Sequence, residues 1–174
     1  MLINLTDVFT IENKMLSETV SVGFDTIAFC GTLYPVKLEH PVNLNLSFVE
    51  KGKAKIQGAG EAVITLNCDR CLKKVDVAVP IEFSYQVYAP ERDMTEDDKE
   101  EQFFVNGYQL DTDLLLNNEI LILWPMKVLC HESCKGICPV CGKNRNYGDC
   151  GCDDFVPDPR MAKIKDIFNA NKEV

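Results

Sequence analysis

The sequence predicts an α+β protein: an antiparallel β meander or partial barrel, followed by a helix, a cysteine-rich module and a C-terminal helix. Three observations carry this reading. Polar and apolar residues alternate through most of residues 42–88, as half-buried strands require. Six of the nine cysteines fall between Cys130 and Cys152, in a stretch rich in glycine and asparagine and poor in apolar side chains. Two segments, one after Asp111 and one after Asp158, place apolar residues at helical spacing behind a capping side chain. The expected organisation is a β-rich domain over residues 1–90, an acidic loop and helix over 91–126, and the cysteine-rich module with its helix over 127–174.

Val42–Val49, Lys53–Leu66 and Val75–Tyr88 read as successive strands, with Lys51-Gly52 where a hairpin must turn. Gly58 and Gly60 interrupt the second run and predict a bulge or bend. Cys68-Asp69-Arg70-Cys71 falls at the next reversal. Cys30 has no neighbouring cysteine and is expected in the core. The charged stretch Pro90–Glu101 cannot build a core and reads as a solvated or disordered loop. Phe103–Val105 is a candidate short strand. Asp111 or Asp113 can cap a helix through Leu114, Leu115, Ile120 and Leu121 toward Trp124, which Pro125 stops. Asp158-Pro159 supplies an N-cap and a first-turn proline. Met161, Ile164, Ile167 and Phe168 then form a stripe better suited to docking than to RNA contact.

The 174 residues carry a net charge of −9, most of it between Glu91 and Glu119. That balance argues against non-specific coating of nucleic acid, although a local basic face remains open. No apolar run reaches the roughly 18 residues of a membrane span, and no basic region precedes the N-terminal apolar stretch. A soluble, cytoplasmic protein is expected. There thiols stay reduced, and clustered cysteines hold metal more often than they form disulfides.

The spacing is Cys130-x3-Cys134-x3-Cys138-x2-Cys141-x8-Cys150-x-Cys152. In Cys138-Pro139-Val140-Cys141-Gly142, proline fixes one backbone angle and glycine permits the left-handed turn that aims N–H groups at sulfur. Cys150 and Cys152, two apart on extended chain, face the same side and complete a tetrad. Four thiolates suit zinc and leave a local charge of about −2, which Lys143 and Arg145 can offset. An iron–sulfur cluster uses the same ligands, but nothing else in the chain suggests electron transfer. Cys68 with Cys71 and Cys130 with Cys134 are two half-sites that together would make a second zinc site. The alternative is that Cys68 and Cys71 are free thiols capping a hairpin. His131 is expected at the surface rather than on a metal.

These residues resemble the YceD family, the large ribosomal RNA subunit accumulation proteins, and within it a cysteine-rich branch. The resemblance rests on Cys68-Asp-Arg-Cys71-Leu72, the Asp111–Leu121 pattern, Pro125, the run Cys130 to Gly142, Asn144, Asn146, Cys150-Gly-Cys152 and Asp158-Pro159-Arg160. It implies a role in accumulation or processing of large-subunit ribosomal RNA, as an assembly factor, and implies no catalytic mechanism.

On that footing the expected partners are large-subunit ribosomal RNA or a pre-ribosomal particle, with no membrane and no small-molecule substrate. Lys143, Arg145, Lys135 and Arg160 are the leading RNA-binding candidates. Lys127, Lys163 and Lys165 lie near them in sequence, Tyr147 is available to stack, and a second basic group runs from Lys51 to Lys74. A competing reading is a protein-only module whose acidic stretch binds a basic ribosomal protein. A further alternative, thiol redox chemistry at Cys68 and Cys71, lacks a surrounding βαβ unit. Only two histidines occur, and no P-loop, dinucleotide fingerprint or Ser/His/Asp order is present, so no enzymatic activity is expected.

Overall fold

Antiparallel pairing dominates the α+β fold, which is described by a computed structural model over residues 1–92 and 96–152. In chain order its elements are β1 (Leu2–Asn4), α1 (Thr6–Thr10), β2 (Met15–Val20), β3 (Thr26–Phe29), β4 (Thr32–Glu50), β5 (Lys53–Asn67), β6 (Lys74–Tyr88), α2 (Glu96–Glu101), β7 (Val105–Asn106), β8 (Gln109–Asp111) and α3 (Thr112–Ile122). The chain divides into two units. One holds Met1–Asn67 and Lys74–Val128; the other holds Cys68–Lys73 and the residues from Leu129 onward.

In the first unit, β2, β4, β5 and β6 pair in that order, β3 pairs with the first part of β4, and β1-β8-β7 form a smaller sheet. The strand alternation places Leu44, Leu46, Ile56, Ile64, Val79 and Ile81 in one buried cluster, joined by Val8 and Phe9 of α1 and by Leu115, Leu116 and Ile120 of α3. Burying each such side chain contributes about 1.5–3 kcal/mol, so this unit has an apolar core of its own. Helix α3 begins where the sequence places it. Asp111 Oδ1 accepts from the N–H groups of Asp113 at 3.0 Å and Leu114 at 3.2 Å. Asp113 instead accepts from the N–H of Gly23 at 2.9 Å.

Several expectations are corrected. Cys30 is exposed, not in the core: Phe29 pairs with Thr32, leaving Cys30-Gly31 as a two-residue hairpin turn with φ of 48° and 78°. Both residues in the left-handed region match a type I′ turn, which points the thiol outward. Strand β5 stays in register with β6 throughout, so Gly58 and Gly60 are not bulges in that ladder. The β4–β5 ladder is irregular between Leu38 and His40, between His40 and Asn43, and between Phe48 and Glu50; Gly60 faces the second of these, while Gly58 pairs in register with Leu44. A Cβ on Gly58 would collide with the Phe83 ring at Cζ, and one on Gly60 would fall 2.7 Å from Val42 Cγ2, so both glycines make room for side chains. Part of the acidic stretch is the short helix α2, where Lys99 pairs with Glu96 at 2.7 Å. The short strand expected at Phe103–Val105 begins at Val105 instead. The helix expected after Asp158 lies outside the described residues. Among the described residues, no helix is long and apolar enough to cross a membrane.

Candidate metal centres

The second unit has a different interior. Among its described residues, every buried side chain belongs to a cysteine: Cys68, Cys71, Cys134 and Cys138. The eight cysteines form two sets, Cys68/Cys71/Cys130/Cys134 and Cys138/Cys141/Cys150/Cys152, and within each all Sγ atoms lie within 4.8 Å of one another.

Two short turns build the first half of each set, and their hydrogen bonding is the same. The Cys68 N–H donates to Lys73 O at 2.8 Å, and the Leu72 N–H donates to Cys68 O at 2.9 Å. The Cys138 N–H donates to Lys143 O at 2.9 Å, and the Gly142 N–H donates to Cys138 O at 2.8 Å. The residue after the second cysteine is left-handed in both, with φ of 60° at Leu72 and 72° at Gly142. The Cys68–Lys73 turn is thus a copy of the Cys138–Lys143 turn, disguised in sequence by a leucine at the glycine position.

The second halves reach these turns differently. Cys134 Sγ lies 3.9 Å from Cys68 Sγ, and Cys130 Sγ lies 3.5 Å from Cys71 Sγ. Arg70 donates to Cys134 O at 2.8 Å, and the Ile137 N–H donates to Arg70 O at 3.0 Å. A tetrahedral zinc with bonds of about 2.3 Å separates its sulfurs by about 3.8 Å. The donor chemistry and spacing of both sets fit such an ion.

Electrostatics point the same way. Burial would raise the Cys68 thiol, but backbone N–H groups of Cys71, Cys130 and Arg70 outweigh it and bring the pKa to about 6. Cys138 is brought to about 6 by the backbone N–H of Cys141, and then by Val140, Cys150 and the Arg145 side chain. In the same sets, burial and neighbouring sulfurs push Cys130 up to about 12, and the sulfurs of Cys141 and Cys150 push Cys152 up to about 12. Four thiols this close cannot all ionise unless a cation offsets their repulsion. The N–H groups aimed at one sulfur in each set favour the state in which such a cation is bound.

The cations proposed from the sequence fall into different roles. Lys135 and Lys143 are exposed, with Lys135 Nζ 4.0 Å from Asp149 Oδ1. Arg145 is half-buried, and its side chain helps to lower the Cys138 thiol pKa. Tyr147 is 76% exposed. Arg160 lies outside the described residues, and Lys127 belongs to the first unit. His131 is exposed, its Nδ1 3.3 Å from Ser133 Oγ, and joins neither set. Sequence reasoning assigned no structural role to Arg70, nor any to Asn146, whose Nδ2 donates to Cys134 Sγ at 3.3 Å. The signals for Asn146 were its place inside the Cys141–Cys150 loop and its share in the family resemblance, neither of which points to Cys134.

A family model described as large ribosomal RNA subunit accumulation protein YceD matches residues 56–168, a span that contains both cysteine sets. No match is found among curated proteins or among solved structures.

Proposed function

The chain belongs to the YceD family, and from that premise we propose that it is a non-enzymatic, cytoplasmic assembly factor supporting accumulation or processing of large-subunit ribosomal RNA, with structural zinc. The observation that carries the zinc is that thiols alone occupy the buried side-chain positions of the second unit, among its described residues. The described part of this unit buries no apolar side chain other than cysteine, and metal can stand in place of a core there. Each set offers four protein ligands and so leaves no open coordination position, which favours a structural over a catalytic metal. Zinc would then stiffen a small surface bearing Lys135, Lys143 and Tyr147, suited to phosphate contact and base stacking. Arg145 serves mainly to offset sulfur charge, and Arg160 remains a candidate from sequence.

Elemental analysis of the reduced protein should give two zinc ions per chain, and less than half an equivalent would sink the zinc reading. Binding to large-subunit RNA fragments should weaken with salt, each phosphate contact contributing about 0.7–0.9 to the logarithmic slope. Charge reversal at Lys135 and Lys143 should flatten that slope by about one to two units with zinc content unchanged. The second reading, capture of a basic ribosomal protein, is favoured by the exposed carboxylates of Glu96 and Glu100 on α2. Replacing both with glutamine should tighten RNA binding if RNA is the partner. It should abolish capture of the basic partner if protein is.

A further inference from the structure

We propose that Asn146 is a positioning residue that couples the two cysteine sets, so that metal at the Cys138 set raises the affinity of the Cys68 set. The inference rests on the reading that both sets hold metal. Asn146 lies in a single 3₁₀ turn, Arg145–Tyr147, between Cys141 and Cys150 and therefore inside the loop that the Cys138 set closes. Its side chain nevertheless serves the other set. Asn146 Oδ1 accepts the Lys135 N–H at 2.8 Å, and Nδ2 donates to Cys134 Sγ at 3.3 Å. A backbone N–H can only donate, so the amide orientation is determined and the NH₂ must face the sulfur.

The surrounding backbone holds this contact in register. The Arg145 N–H donates to Gly136 O at 2.9 Å, the Asn146 N–H donates to Asn144 Oδ1 at 2.9 Å, and Ile137 pairs with Asn144. Residues 144–146 thus lie against 135–137, the link from Cys134 to Cys138. Yet no residue from Cys141 to Cys150 is buried. Among the described residues, polar hydrogen bonds rather than buried apolar side chains hold the loop, and a metal closing its ends at Cys141 and Cys150 would reinforce them. Metal at the Cys138 set would hold the Asn146 donor on Cys134 before the Cys68 set loads. A hydrogen bond from an outer side chain orients a ligand sulfur toward its metal and so raises affinity. By linkage the coupling is reciprocal: metal at the Cys68 set favours loading of the Cys138 set equally.

The test uses the full-length reduced protein loaded with cadmium-113, whose two tetrathiolate resonances report each set separately during competition with a chelator. Removing the Cys138 site with Cys150→Ser/Cys152→Ser should weaken cadmium at the Cys68 set about tenfold, the lower end of what an outer hydrogen-bond partner of a ligand controls. Asn146→Asp keeps the acceptor for Lys135 but turns an oxygen toward the sulfur, and should weaken the same set at least as much. In the Asn146→Asp background, loss of the Cys138 site should cost nothing further. Unchanged affinity at the Cys68 set after Cys150→Ser/Cys152→Ser, confirmed with Cys141→Ser, would overturn the coupling. So would effects of the two changes that simply multiply. Absence of both resonances in the wild type would instead sink the metal reading, and the coupling with it.

Discussion

Gly136 shows how one residue can govern a site without ligating anything. Its φ is 76°, and a Cβ there would lie 3.0 Å from Arg70 O, the carbonyl that accepts the Ile137 N–H. Gly142 has a φ of 72° but open space around its missing Cβ. Alanine at either position should cost about 1–2 kcal/mol for the left-handed backbone. Only Gly136→Ala should add displacement of Arg70 and hence of Cys134. The expected outcome is faster loss of one zinc equivalent to a chelator for Gly136→Ala than for Gly142→Ala, followed by a colorimetric zinc indicator. Equal rates would mean that the Arg70 contact does not hold the Cys68 set. The sequence marked Gly142 through the Cys-Pro-Val-Cys-Gly motif. It could not mark Gly136, because the atom that excludes a side chain there belongs to a residue 66 positions away.

Among elements, β5 is the instructive case. Its alternation was legible because every second residue faces the core. Its glycines were legible as exceptions but not in their purpose. Gly58 lies under the Phe83 ring of β6, and a Cβ there would also come 2.9 Å from Leu44 Cδ2 of β4. Gly58→Ala should therefore overpack the sheet and destabilise the first unit by about 1–3 kcal/mol in urea unfolding. Combined with Phe83→Leu, the loss should be smaller than the sum of the two single losses, because the smaller side chain vacates the contact. Strict additivity would show that the ring does not occupy that space. The Lys51-Gly52 turn and the Asp111 cap were legible for the converse reason: each is set by residues within a few positions of itself.

At the scale of the molecule, the two units differ in what holds them. The first has an extended apolar cluster, while the described interior of the second consists of thiols. Metal removal should then act unevenly. Structural zinc in small modules supplies free energy on the order of 10 kcal/mol. A strong chelator should abolish amide-exchange protection in residues 68–73 and 129–152 and leave the paired centres of β4, β5 and β6 protected. The ends of β5 and β6 nearest Cys68 and Lys73 should fray, since that turn joins them. Loss of protection across all residues by mass-resolved hydrogen exchange would mean that the apolar core cannot stand without the metal. Retention everywhere would mean that metal is not what orders the second unit.

The sequence by itself determined what lies within a few residues of its own signal. The strand alternation, the hairpin at Lys51-Gly52, the α3 cap at Asp111 and the grouping of Cys138, Cys141, Cys150 and Cys152 were all of this kind. Tertiary structure decided what depends on distant chain segments meeting. It brought Cys130 and Cys134 to Cys68 and Cys71 and turned Leu72 left-handed to repeat the Gly142 turn. It also put Cys30 on a surface turn and directed Arg70, Arg145 and Asn146 to the cysteine segments. The physical reason is that periodicity and caps are local hydrogen-bond and packing preferences of a short chain. The partner of Cys68, by contrast, follows from a fold that closes a separation of 66 residues to 3.9 Å.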